Sequence, residues 1–302
     1  MRQRTSNIGA GHRAGMIGLI AVIAGTASAG IRRHDVDDAL YQALAQEPQF
    51  AAVGQMLISN SNGQSTSCTG TLISDEWVLT AAHCVDGSTT SVSWATDSAF
   101  GFAAEIVIFD GWNPASFPAG NDLALIRLAT PITNIEPARI FTGSNELGSV
   151  GTSVGYGREG TGLTGDIPNT AGTKRAGHNM IDAFGNDRGW NADILITDFD
   201  NPLNPNDSTY GDSSPLDLEI QVSPGDSGGP LFVEDGKGLA IAGVTSFIAS
   251  SDGSPNADYG DYSAYTRVSS YLPWIYDVTG VPSPGGLAVI GMVGVAFGRR
   301  RR

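Results

Sequence analysis

The chain has 302 residues, of which 41% are hydrophobic and only 16% charged, and its formal net charge is −14. That length carries one large domain or two small ones with a sizeable core. The acidic balance excludes nucleic acid and anionic membrane surfaces as natural partners, and 40 glycines favour tight turns and short strands over long helices.

Residues 1–29 read as a secretory signal. Arg2, Arg4 and Arg13 form its positive region, Ala14 to Ala24 is apolar and rich in small residues, and Ala27-Ser28-Ala29 fits the small-residue rule of signal peptidase. Cleavage there leaves Gly30 or Ile31 first. An uncleaved anchor is the alternative, for which the apolar run is short. Ala39 to Leu44 has a short helical periodicity. Strand patterns follow at Phe50–Ile58, Cys68–Ile73, Trp77–Ala82, Ser91–Trp94, Ala103–Ile108 and Leu123–Leu128. Six strands ahead of Pro131 suit one barrel. A second set comprises Gly151–Tyr156, Asp193–Asp198, Pro230–Val233, Gly238–Phe247 and Ser263–Val268.

Asp198 to Pro215 is rich in Asn, Asp, Pro, Ser and Gly and reads as a long loop. It is either plainly solvated or a holder of Ca²⁺ through its oxygens. At the far end, Val281-Pro282-Ser283-Pro284-Gly285 precedes an apolar run from Gly286 to Gly298 and a final Arg299-Arg300-Arg301-Arg302. The run is short for a full span. The tail resembles a PEP-CTERM-type sorting signal, with Ser283 where that signal usually has Glu. The resemblance implies a membrane protease of the exosortase type that removes it. A simple C-terminal membrane anchor is the alternative.

Three short motifs carry chemistry. Gly225-Asp226-Ser227-Gly228-Gly229-Pro230 suits a tight turn that exposes a hydroxyl and aims backbone N–H groups at one point. Acyl transfer to a serine needs both an accessible oxygen and donors for the negative charge that develops on the substrate carbonyl. Thr80-Ala81-Ala82-His83-Cys84 lies upstream, and Asn121-Asp122-Leu123-Ala124-Leu125 lies between. A serine hydroxyl needs a base, and an imidazole titrates near neutral pH.

Together, and in the order His, Asp, Ser, the motifs resemble those of the chymotrypsin-fold (trypsin-like) serine proteases of bacterial type. The resemblance covers roughly Ile31 to Val278. It implies an all-β fold of two six-stranded antiparallel β-barrels with a short C-terminal helix, starting near Tyr271. It implies three segments: signal peptide 1–29, protease domain 30–278 and sorting or anchor segment 279–302. It makes Ser227 the nucleophile, His83 its base, and Asp122 the acceptor that fixes the histidine tautomer. The N–H groups of Gly225 and Ser227 become the oxyanion hole. No cofactor and no metal are implied. Cys68 and Cys84 are the two cysteines, and in an exported protein such a pair reads as a disulfide, with free thiols as the alternative. The resemblance supports the bridge, which would stabilise by about 3 kcal/mol and fix the turn carrying His83.

The same resemblance places Gln221 at the base of the substrate pocket, six residues before the nucleophile. It gives Ser246, Phe247 and Ile248 to the substrate-binding strand, with Ser246 behind the catalytic residues. No carboxylate waits at the base, so Arg or Lys preference is not expected. Glutamate-specific relatives carry histidine where Thr245 stands, and Ile248 replaces the glycine that opens the pocket. Small or medium uncharged side chains remain. Asp226 is not catalytic in such enzymes. Its partner would be the mature N-terminal amine or an internal arginine such as Arg158. The reading is a secreted or surface-sorted serine endopeptidase acting on proteins or peptides. Signal peptidase and the sorting protease are its processing partners. A catalytically silent surface binding protein on the same fold is the alternative.

Overall fold

A computed structural model describes residues 30–250 and 252–281. The signal at 1–29 and the sorting tail beyond Val281 lie outside the described residues. The chain enters as strand β1 (Gly30–Arg32) and helix α1 (Asp38–Ala45). Asp37 caps the helix by accepting from Ala39 N at 3.0 Å. Tyr41 and Ala45, one turn apart, are its buried face.

Strands β2 (Val53–Asn60), β3 (Ser65–Leu72), β4 (Trp77–Thr80), β5 (Thr89–Ala95), β6 (Phe100–Ile108) and β7 (Ala124–Leu128) close a barrel in the order β2-β3-β4-β7-β6-β5. Alternation decides what faces inward: Met56 and Ile58 are fully buried, whereas Leu57 between them is 53% exposed. Trp94 fills the barrel and donates from Nε1 to Gly70 O at 3.0 Å. Its ring explains Gly54, where a Cβ would meet it at 2.5 Å.

The second half contains β8 (Arg139–Ile140), β9 (Val150–Gly155), β10 (Glu159–Thr161), β11 (Gly165–Asp166), β12 (Arg175–Met180), β13 (Ala183–Phe184), β14 (Ile194–Asp198), β15 (Ile220–Gln221), β16 (Pro230–Glu234), β17 (Leu239–Ala249) and β18 (Tyr262–Arg267). Helix α2 (Leu272–Thr279) follows. The expected all-β architecture is present. The second half is a half-barrel, an eight-stranded sheet in the order β12-β9-β16-β17-β18-β14-β13 with β8 on β17. A small sheet, β11-β10-β1-β15, binds the entering segment to it. Helix α2 ends where Gly280 turns left-handed at φ 67°. Among the described residues no helix is long and apolar enough to cross a membrane.

Strand β12 escaped the sequence reading because Arg175, His178 and Asn179 look like surface residues. Two of them, Arg175 and Asn179, are buried and bonded by partners. Asn179 Nδ2 donates to Asp198 O at 2.7 Å and Ile220 O at 3.2 Å, and Arg175 is clamped by Asp38. A buried polar group that is bonded can sit where pattern rules expect an apolar one.

The loop after Asp198 is tied internally rather than merely solvated. Asp198 Oδ2 accepts from Thr209 N at 2.7 Å and Tyr210 N at 2.9 Å, and Glu219 accepts from Asp200 N at 2.7 Å and Leu216 N at 2.6 Å. Burial, then repulsion from Asp200 and Asp198, pushes Glu219 up to about 8. Burial and Asp198 push Asp200 up to about 6, and the Asp182 carboxyl rises for the same two reasons. Raised folded values mean that the native state holds more protons than the unfolded chain between the ordinary carboxylate range and these values. Stability therefore falls as pH rises through that window. The melting temperature is expected to drop by about 3 °C or more between pH 5 and pH 8.5, and Glu219→Gln should flatten the slope. A melting temperature that rises over this range would contradict the assignment.

Candidate active site

His83 sits on the short turn Ala82–Cys84 that follows β4. Thr80 secures the approach by donating from Oγ1 to Thr69 O at 2.9 Å. The Cys68–Cys84 disulfide is formed and ties this turn to β3, 16 residues back. Both sulfurs of the Cys68, His83 and Cys84 cluster are thus in the bridge.

Asp122 reaches His83 through a left-handed turn. Asn121 stands at φ 65°, a conformation that Asn tolerates better than most residues. Tyr271 Oη donates to its Oδ1 at 3.0 Å, and its own Nδ2 donates to Gly111 O at 3.1 Å. The turn delivers a fully buried carboxylate. Asp122 Oδ1 accepts from His83 N at 2.9 Å, and Oδ2 lies 2.7 Å from His83 Nδ1. Ser246 Oγ donates to the same Oδ2 at 2.5 Å. The imidazole is therefore held by Nδ1, and its other nitrogen is free to take a proton. His83 Nε2 lies 3.9 Å from Cys84 Sγ, which is 3.6 Å from Ser227 O.

Ser227 is half-buried on the loop between β15 and β16. Gly225 at φ 107° and Gly228 at φ 80° shape that loop. A Cβ on Gly228 would lie 2.1 Å from Thr80 Oγ1, so the loop packs against the end of β4, just ahead of His83, with no room to spare. Thr69 clamps it from the first barrel, donating from N to Ser227 O at 2.8 Å and from Oγ1 to Gly225 O at 2.9 Å. Among the described residues neither Gly225 N nor Ser227 N has an acceptor, and no hydrogen bond joins Ser227 Oγ to His83 Nε2. Such bonds commonly tighten only with substrate. Two unspent N–H donors beside a serine can stabilise an oxyanion.

Asp226 points away from Ser227 into the interior. Its Oδ1 accepts from Gly157 N at 2.7 Å, and its Oδ2 accepts from Ser223 N and Ser223 Oγ, both at 2.9 Å. The carboxylate explains Gly155 and Gly157: a Cβ on either would fall 2.1 or 2.4 Å from its oxygens. Burial pushes the Asp226 carboxyl up, while the Gly157 and Ser223 donors and the Arg175 charge pull it back. Arg158 is not its partner, because that guanidinium pairs with Asp166 at 2.7 Å.

The residues expected to meet substrate divide. Ser246 joins the Asp122 network. Phe247 heads an aromatic row leading to the histidine: Trp190–Phe247, Phe247–Phe117 and Phe117–His83, with ring centroids 5.2, 5.9 and 5.3 Å apart. Ile248 packs on the clusters of Val222 and of Ile31. Gln221 is fully buried, pairs with Ile31 across β15 and β1, and accepts from Ser263 Oγ at 2.5 Å. Instead of lining an open pocket floor, it borders a small cavity shared with Gly30, Arg175 and Asp226. Thr69, Phe117, Trp190 and Arg175 were not singled out by sequence reasoning. Only Thr69 had a signal, its place beside Cys68.

A closed barrel packed on a half-barrel, with a buried carboxylate behind a histidine and a clamped serine loop, defines the chymotrypsin-like class. The Trypsin family model matches residues 45–275. Brachyurin of Leptuca pugilator is 32% identical over 71% of this chain and 88% of that protein. Collagenase of Hypoderma lineatum is 29% identical over 71% and 76%. The solved structure of HL collagenase is 24% identical, covers 84% of this chain and 99% of its own, and superposes with a TM-score of 0.59, a likeness of fold. The chain belongs to the trypsin family and is a serine-type endopeptidase, a hydrolase.

Proposed function

We propose that this enzyme is an exported endopeptidase that cleaves protein substrates through Ser227, His83 and Asp122 by way of an acyl-enzyme. The observation that carries the reading is the Asp122 carboxylate. It meets both the backbone N and the Nδ1 of His83 and takes a third bond from Ser246. In this reading His83 takes the Ser227 proton as the oxygen attacks the carbonyl carbon. The oxyanion is met by Gly225 N and Ser227 N, and the protonated imidazole then returns its proton to the leaving amine. Water repeats the sequence to free the acid. Residues 1–29 serve as the signal that exports the chain, and 279–302 as a sorting or anchoring segment.

Substrate preference follows from what lies next to the serine. The wall near Val222 and Ile248 is lined by apolar side chains, and Gln221 is already bonded to Ser263. A guanidinium or ammonium buried there would lose its hydration without a charged partner. Uncharged side chains avoid that loss. The test combines two measurements on the disulfide-bonded protein. A fluorophosphonate probe should label Ser227, and a peptide library should show cleavage after small or medium uncharged residues. Absence of labelling would favour a silent binding protein, and dominant cleavage after Arg or Lys would overturn the specificity.

A further inference from the structure

We propose that the loop between β14 and β15 holds one Ca²⁺ ion against the carboxylates of Asp200 and Asp182. The site is independent of the catalytic reading, and it decides between the two roles that the sequence leaves open for Asp198 to Pro215.

Three parts of the fold bring carboxylates to one place. Asp182 lies between β12 and β13, Asp198 ends β14 with Asp200 just beyond it, and Glu219 precedes β15. Asp198, Asp200 and Glu219 are 3%, 7% and 1% exposed. Among the described residues none of these four, nor Asp212, takes part in an ion pair. Arg33 donates to Leu216 O at 2.7 Å, but its charge is matched by Asp35. The acids that Asp200 feels are Asp198 and Asp212. Buried charges are ordinarily paired or bound to a metal.

A single atom points to the ligand. Asp200 Oδ1 is buried and has no hydrogen-bond partner. The neighbouring acids are engaged: Asp198 Oδ2 accepts from the loop backbone, and each Glu219 oxygen accepts one N–H. An anionic oxygen left unmet in the interior costs more than a neutral one. Asp200 lines a cleft of about 110 Å³ with Asp182, Gly211, Asp212, Ser214 and Glu219. That is room for an ion and several waters. Gly211, at φ 61°, lets the Asp182 carboxylate approach, since a Cβ there would lie 2.7 Å from Asp182 Oδ1.

The donors select the ion. Carboxylate, hydroxyl and carbonyl oxygens are hard ligands, and no imidazole or thiol lines the cleft. Ca²⁺ accepts irregular shells of oxygens and completes them with water, whereas Mg²⁺ demands near-ideal octahedral geometry. Among the described residues no three carboxylates come mutually within 4.8 Å. The shell therefore holds two carboxylates, with neutral oxygens and water for the rest. Few charged ligands on a loop make a weak site, with a Kd of about 10⁻⁴–10⁻³ M, the range of extracellular modules. The ion would join the turn after β12 to the segment entering β15, two residues ahead of Gln221. The fall in stability with rising pH described above is that of the protein in chelator, where protons alone neutralise these groups.

The test uses the metal alone on the disulfide-bonded protein. At about 10 mM, CaCl₂ should raise the melting temperature by about 3–10 °C over that in chelator. MgCl₂ at the same concentration controls for screening of the acidic surface and should give less than about a third of that rise. Asp200→Asn removes the charge and keeps the shape, and it should abolish the Ca²⁺ increment. An Asp200 that served only the loop's own packing would lower the melting temperature in chelator and leave that increment in place. No rise with Ca²⁺, an equal rise with Mg²⁺, or the full increment in Asp200→Asn would each overturn the proposal. Should Asp200→Asn fail to fold, Asp182→Asn takes its place, and the comparison of Ca²⁺ with Mg²⁺ on the unaltered protein decides in either case.

Discussion

Ser227→Ala should remove peptide-bond hydrolysis and leave the fold standing. The expected fall in kcat is about 10⁶-fold, the scale found when a catalytic serine is deleted in a protease of this mechanism. The argument for an intact fold is local. The loop is held by backbone groups, Thr69 N to Ser227 O and Gly228 N to Thr245 O, both at 2.8 Å, and alanine keeps them. The side chain is half-buried, and removing one oxygen leaves little void. Turnover should be measured together with the melting temperature. Wild-type turnover in the purified variant would refute Ser227 as nucleophile. Lost turnover with a much lower melting temperature would show that the hydroxyl supports the loop instead.

The parts of this site that sequence reasoning reached are those whose chemistry is concentrated in a few adjacent residues. Thr80 to Cys84, Asn121 to Leu125 and Gly225 to Pro230 each announce a turn together with a reactive or buried side chain. The first barrel was legible for a similar reason. Its strands are apolar on one face, and the observed edges differ by a few residues, as where Phe50 belongs to a 3₁₀ turn and β2 begins at Val53. The rest depends on contacts between distant segments. Arg175 and Asn179 are polar in sequence and buried in space because Asp38, Asp198 and Ile220 come to meet them. The two- and three-residue strands β1, β10, β11 and β15 carry no period to detect. Gln221 was placed by counting back from Ser227, and counting cannot tell that Ser263 would bond its amide and the Ile31 strand would cover it.

Asp122→Asn should lower kcat about 10⁴-fold, the size established for this substitution within the trypsin family itself. The reason is visible in the bonding. The carboxylate accepts three bonds and donates none: His83 N on Oδ1, and His83 Nδ1 and Ser246 Oγ on Oδ2. An amide of the same shape must put its NH₂ on one of those two sides. Facing Nδ1, it donates there, which makes Nδ1 an acceptor and places the ring proton on Nε2. The nitrogen that should take the Ser227 proton is then already occupied. Facing the His83 backbone, the NH₂ opposes an N–H, and a fully buried group is left with two unmet donors. The first arrangement is cheaper, since Ser246 Oγ can accept as readily as donate. The fold should survive, with the tautomer wrong for catalysis. The measurement is kcat in the variant beside its melting temperature, with the ring tautomer read by ¹⁵N chemical shifts of His83. A proton on Nε2 with kcat down by the stated factor is the expected result. Retention of kcat within about tenfold of wild type would show that Asp122 does not orient the base.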